Sequence, residues 1–226
     1  MDSHPLDNPL WQSLTTKHAG LAIANDVAAR YPAAVAPFAA VANASREAGD
    51  RLRQIIEPGE SVYLVGVAPP LDAGWQVLLQ TSIAQMVCHA RIEPKPGPQF
   101  RALTDADRAD MIELTTRVFP GYFRARTNEM GRYIGIYAGN TLAAMAGERM
   151  CLDGYVEISA VCTHPDFTSR GFAAHLVGEL CHEILSRRLT PFLHVSWENA
   201  RARALYAKLG FVDRASVALW SVLRED

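Results

Sequence analysis

VCTHPDFTSRGFAAHL, residues 161–176, runs from a β-branched stretch through a Pro-Asp turn and the corner T-S-R-G into an Ala-rich helical pattern. The first turn of a helix carries free backbone N–H groups and the positive end of the macrodipole, so such a corner is already a site for an anion. Thr168, Ser169 and Arg170 add hydroxyls and a cation there, and Gly171 lacks the Cβ that would hold a ligand away from the backbone. A capped helix with a solvated arginine would use the same residues, so the flanking segments decide between the two readings.

Upstream, GYVEISAVCT (154–163) reads as a strand. Alternation sets Glu157, Ser159, Val161 and Thr163 on one face, and Val156, Ile158, Ala160 and Cys162 on the other. RYIGIYAGNTLAAMAGERM (132–150) reads as two strands joined at Gly139-Asn140. TDADRADMIELTTRVF (104–119) reads as a helix with Thr104 as N-cap and Met111, Leu114 and Val118 at helical spacing. Downstream, a helix reaches about Arg187, its Leu176, Leu180 and Ile184 forming a buried stripe. PFLHVSW follows as a strand, NARARALYAKLG as a helix closed by Gly210, and FVDRASVALWSVL as a final strand or hairpin. Antiparallel strands followed by strand–helix alternation predict an α+β or mixed α/β architecture.

The N-terminal half is less specific. Residues 38–57 read as a helix ending near Pro58-Gly59, SVYLVGV and WQVLLQ as short strands, and QMVCHAR as a third. YPAAVAPFAAVA, broken by Pro32 and Pro37, reads as core or packing surface. IEPKPGPQF (92–100) has three prolines and a glycine and marks a boundary between an N-terminal α/β region, 1–95, and a second unit, 99–226.

The 226-residue chain is 49% hydrophobic and 20% charged, with a net charge of -2 and scattered Lys and Arg. That charge pattern gives no concentrated basic face for nucleic acid or an anionic membrane. No apolar run approaches the roughly 18 residues of a membrane span. MDSHPLDNPLWQ lacks the basic start and apolar run of a signal peptide, and cytoplasmic residence is expected. The four cysteines form no C-x-x-C pair and read as reduced thiols. His164, His175, His182 and His194 are joined by no acid or cysteine at ligand spacing, so no metal is expected. The absence of a G-x-S-x-G elbow and of a Walker loop argues against hydrolase and NTPase chemistry.

VCTHPDFTSRGFAAHL followed by VSWENARARALYAKLGF resembles the GCN5-related N-acetyltransferases (GNAT), in particular their FR47-like branch, akin to the C-terminal part of glycine N-acyltransferases. The resemblance spans residues of about 100 to 224. It implies a central, mostly antiparallel sheet flanked by helices, with a V-shaped splay between GYVEISAVCT and PFLHVSW. The N-terminal region would be an extension or a degenerate half of the same kind. It implies acetyl-CoA as cofactor, held by Val161, Cys162, Thr163, Thr168, Ser169, Arg170, Gly171, Phe172, Ala173, Ala174, Asn199 and Tyr206. The family's phosphate loop reads Gln/Arg-x-x-Gly-x-Gly/Ala, so Thr168 departs from it, as does Ser169 where glycine is frequent.

By the same resemblance Tyr206 is the general acid for the departing thiolate, while Asn199 serves as helix cap, cofactor contact or both. Glu157 is the candidate general base, its pKa expected to be raised by burial, with Glu148 and Glu113 as alternatives. Cys162, assigned to the face opposite Glu157, is expected to be inert. Ser159, Arg124 and Arg126 are candidate acceptor contacts. The expected reaction is acetyl transfer to a primary amine of a small molecule, amino acid or peptide in a ternary complex, by a monomer or homodimer. The alternatives are a non-catalytic CoA-binding regulatory module and transfer to a hydroxyl.

Overall fold

The alternating and helical periodicities both find partners in the structure, a computed structural model describing residues 4–72, 74–90, 93 and 96–225. Part of the expected boundary (92, 94 and 95) and the first three residues lie outside the described residues. The chain starts with helix α1 (Pro9–Thr15) and a small antiparallel sheet of β1 (Ile23–Ala24), β2 (Ala28–Arg30) and β3 (Ala39–Val41). Helix α2 (Arg46–Ile55), strands β4 (Ser61–Val65), β5 (Trp75–Cys88) and β6 (Arg101–Leu103), and helix α3 (Arg108–Val118) follow. Next come β7 (Tyr133–Ala138), β8 (Thr141–Leu152), β9 (Tyr155–Thr163), α4 (Phe172–Ser186), β10 (Thr190–Ser196), α5 (Ala200–Lys208) and β11 (Phe211–Arg224).

The main sheet has eight strands in the order β4-β11-β5-β10-β9-β8-β7-β6. Among the described strands of this sheet only β9 and β10 pair in parallel. Strands β4 and β5, from the N-terminal half, flank β11 inside this sheet. Helices cover both faces. Leu176, Leu180 and Ile184 of α4 pack on Ile134, Ile158 and Leu193, whereas Met111 and Leu114 of α3 pack on Tyr133 and Met145 of the opposite face. Leu10 and Leu14 of α1 close that second face beside Met150, Leu152 and Phe192.

Three elements differ from the sequence expectation. The helix expected over 38–57 begins only at Arg46, where Ser45 caps it by accepting from the Ala48 N–H at 3.1 Å; the buried Ala39–Val41 stretch is strand β3 instead. Thr104 caps a short 3-10 turn, Asp105–Asp107, that leads into α3, and Val118 is 40% exposed. WQVLLQ and QMVC, the start of QMVCHAR, are one 14-residue strand, because the equally long β11 supplies a continuous antiparallel ladder that carries the polar QTS segment. The final segment is a single strand, bulged at Asp213/Ala215 and Ser221/Val222.

The positioning feature is the seam between β9 and β10. They pair only where Thr190–Phe192 meets Tyr155–Glu157. Beyond it β10 stays on β5 as far as Ser196, and β9 stays on β8 as far as Thr163. The two strands therefore diverge and open the sheet.

Candidate active site

A β-bulge shapes one arm of this opening. Gly147 pairs with Ser159 and Met145 with Cys162, so the single residue Ala146 faces both Ala160 and Val161, and Ala160 takes a left-handed φ of 51°. One extra residue reverses the alternation. Val161 packs with Val156 and Ile158 on the α4 face, and Cys162 joins Met145 and Met111 on the α3 face. This corrects the simple alternation expected for the strand: Val161 and Thr163 leave the face of Glu157, and Cys162 moves onto it. The Cys162 thiol is inert for a different reason, since burial pushes its pKa up to about 12. The bulge also leaves Ala160 and Val161 without ladder partners on β8.

The second arm of the site is the start of α4. Gly171 is its N-cap at φ 77°, with no side-chain cap, and the first turn closes with His175 N–H on the Gly171 carbonyl at 3.0 Å. The N–H groups of Phe172, Ala173 and Ala174 are therefore left open. A Cβ at Gly171 would meet nothing within 4 Å, so the corner faces free space. Ser169 also lies in the left-handed region, at φ 64°, where a glycine would be unstrained. Thr168 donates its hydroxyl to the Pro165 carbonyl at 3.2 Å, which braces the loop and leaves the amides clear. Arg170 lies over the Phe167 ring at 5.0 Å. All twelve residues expected to hold the cofactor, from Val161 through Thr168–Ala174 to Asn199 and Tyr206, line one cleft here. Open amides, a left-handed glycine and the arginines Arg170 and Arg201 on the cleft form a donor set that fits a diphosphate.

A second cavity of about 420 Å³ fills the splay, bounded by Ser159–Val161 on β9 and His194–Ser196 on β10. It shares Val161, Asn199, Ala202 and Tyr206 with the first cleft, so the two meet at α5. Tyr206 is 9% exposed and sits edge-on to Phe211. Burial pushes its phenol up to about 12, so it keeps its proton at neutral pH. Asn199 caps α5, accepting from the Ala202 N–H at 3.0 Å, and lines both cavities as well.

The base assignment does not survive the geometry. Glu157 is fully buried and lines neither cavity. Arg149 donates Nε to its Oε2 and Nη2 to its Oε1, both at 2.6 Å, and His194 Nδ1 lies 2.7 Å from Oε1. Burial alone would raise its pKa as expected, but the charge and hydrogen bonds of Arg149 and the bond from His194 outweigh it and hold the carboxyl at about 2. A carboxylate so engaged has little basicity. Glu148 pairs with Arg187 and Glu113 with Arg117, and neither lines the cavity.

Arg124 and Arg126 lie outside it too, and Arg126 is held by Glu129 through two bonds of 2.7 Å. The guanidinium that does line it is Arg149, next to His194, and the sequence reading missed this pairing and the buried Gln85 that holds His194 from behind. The available signal was a charge at an interior position of the apolar run AMAGERM, which requires a buried partner.

The hydrogen-bond chain fixes the state of His194. Arg214 donates to Gln85 Oε1 at 2.6 Å, so Gln85 Nε2 must donate, to the Leu6 carbonyl at 2.8 Å and to His194 Nε2 at 3.0 Å. His194 therefore carries its proton on Nδ1 and gives it to Glu157.

The likenesses to known proteins agree with this geometry. A family model described as FR47-like protein matches residues 133–221. The crystal structure of a GNAT-family protein from Novosphingobium aromaticivorans DSM 12444, described as an acetyltransferase, superposes with a TM-score of 0.90 at 31% identity, covering 99% of this chain and 100% of that one. A GCN5-related N-acetyltransferase from Kribbella flavida shares the fold at a TM-score of 0.55 and 15% identity, covering 77% of this chain and 74% of that one. No curated protein matches. The chain belongs to the GNAT family, and its residues 133–221 are similar to the FR47-like proteins. It is an acyltransferase.

Proposed function

We propose that this acyltransferase moves an acetyl group from coenzyme A to a primary amine of a small molecule, amino acid or peptide, by direct attack within a ternary complex. One observation carries the reading: a cleft built around open helix amides meets a separate cavity at Tyr206, inside the β9–β10 splay. When bound, acetyl-CoA supplies an acyl group activated as a thioester. The amides of Phe172, Ala173 and Ala174 and the Arg170 guanidinium hold the diphosphate charge. Beyond Glu157 the edge of β9 has no register partner on β10, and its backbone at Ser159, Ala160 and Val161, on the cavity wall, offers hydrogen bonds along the extended arm and to oxygen charge developing near it. Tyr206 Oη keeps the proton that the leaving sulfur needs.

Among the described residues lining the acceptor cavity there is no Asp, Glu, Lys or Cys. Both ring nitrogens of His194 are engaged. The amine thus enters as its free base, and its surplus proton leaves through water. Glu157 acts as a positioning residue that orients Arg149 and His194.

The test is calorimetric titration with CoA, followed by thiol release from acetyl-CoA with and without amines. Micromolar binding and amine-dependent release are expected. No heat at millimolar CoA, or release indifferent to every amine, defeats the reading.

A further inference from the structure

The acceptor cavity has a chemistry of its own, and resting on the acyl-transfer reading above, it narrows the acceptor. Its outer wall is aromatic. Phe38 comes from the N-terminal region, Phe119, Tyr122 and Phe123 follow α3, and Tyr133 opens β7. Phe38 and Tyr122 stack at 6.4 Å, and Tyr63 braces Tyr122 from behind at 4.9 Å.

Among the described residues the one cation on the wall is Arg149, its guanidinium 4.7 Å above the Phe38 ring. Nε and Nη2 are committed to Glu157, and among the described residues Nη1 has no hydrogen-bond partner. The Arg149 side chain keeps 17% exposure while Glu157 keeps none, so the positive end of this ion pair faces the cavity and the negative end lies behind it. Ser159 Oγ, on the same wall, is likewise without a partner among the described residues. No carboxylate lines the space among the described residues, so a second ammonium would be desolvated there without a counter-charge.

We propose that the acceptor is a monoamine with a bulky apolar or aromatic body and a carboxylate or carbonyl oxygen beside the amine, which Arg149 Nη1 receives. The rings of Phe38 and Tyr122 hold the body, and polyamines are excluded. The N-terminal region then has a role: through Phe38, Val65 and Ile83 it completes the specificity wall of a site whose acyl-transfer machinery lies in the C-terminal half.

The experiment compares phenylalanine, phenylalaninamide, phenethylamine and spermidine as acceptors with the full chain and acetyl-CoA, each at the pH of its amine's half-ionisation. One or both of the first two should exceed phenethylamine in kcat/KM by at least tenfold, and spermidine should give no product. Preference for the free acid or for the amide tells carboxylate from carbonyl recognition. Arg149→Lys, which keeps the charge but loses the spare fork nitrogen, should reduce that discrimination to within about threefold, chiefly through KM, without changing CoA affinity.

Should that variant fail to fold, the wild-type panel alone decides. Equal use of phenethylamine, or preference for spermidine, overturns the acceptor assignment and leaves acyl transfer standing. Binding of CoA with none of the four acetylated overturns the assignment as well, and absence of CoA binding defeats the underlying reading itself.

Discussion

Tyr206 brings its phenol to the junction of the two cavities, and among the described residues it has no hydrogen-bond partner. Removing the hydroxyl therefore breaks no bond within the fold. Tyr206→Phe should keep the melting temperature within a degree or two and CoA affinity within twofold, while kcat falls roughly 10²-fold, the usual scale of general-acid catalysis. An unchanged kcat would end the acid role. Ser169 and Gly171 test the loop in opposite directions. Ser169→Gly places the unstrained residue at a φ of 64° and should hold or raise stability, by up to about 1 kcal/mol. Gly171→Ala meets no atom within 4 Å, so its cost of roughly 1–2 kcal/mol is that of a left-handed backbone alone. It should weaken CoA binding at the same time, which paired urea denaturation and calorimetry would show. Stabilisation by Ala at 171 would contradict the backbone assignment.

At the scale of elements, the splay is produced by two ladders that compete for β10. Five pairs tie it to β5 and three tie it to β9, so β10 follows β5 and leaves β9 after Phe192. Among the described residues lining the cavity so opened there is no carboxylate to take the amine's proton. The ascending limb of the pH–rate profile should accordingly track the pKa of the amine used and move by about one unit when that pKa moves by one. Profiles for two amines differing in basicity would check it, and a limb fixed at one pH for both would demand a base within the protein. Helix α5 depends on Asn199 as cap, so Asn199→Ala should cost about 1 kcal/mol of stability. It should also lower kcat, because Tyr206 is carried on that helix.

For the whole molecule, the buried chain Arg149–Glu157–His194–Gln85–Arg214 stitches β8, β9, β10, β5 and β11 across the sheet, and Arg214 continues to Asp7 near the N-terminus. Its pH dependence has a definite sign. The Glu157 carboxyl is held at about 2 in the fold against an ordinary 4.5, so its contribution is complete above pH 5 and is lost as pH falls towards 2. That shift corresponds to roughly 3 kcal/mol at 1.36 kcal/mol per unit. Thermal unfolding followed from pH 7 to 3 should show the loss, and Glu157→Gln should flatten the acid limb while lowering stability at pH 7. An equally steep limb in the variant would assign acid sensitivity to other carboxylates, such as Asp107, which Arg101 holds below the usual range.

Local chemistry made much of this protein readable in one dimension. The strand–corner–helix of residues 161–176, the Asn199 cap and the Leu176, Leu180 and Ile184 stripe announce themselves through spacing, because they depend on neighbours a few residues away. The loop and both flanks of the cleft at the start of α4 were therefore legible as local structure. What spacing could not carry was long-range pairing. The union of two apolar runs into β5 depends on β11, more than 120 residues later, as the Phe211↔Cys88 pair illustrates. The bulge at Ala160 reversed the faces of Val161, Thr163 and Cys162, because one inserted residue changes every side chain beyond it. Glu157 reads in sequence as a half-buried base. Only the fold set Arg149 and His194 around it, and the field of those partners overrode the burial that was to have made it basic.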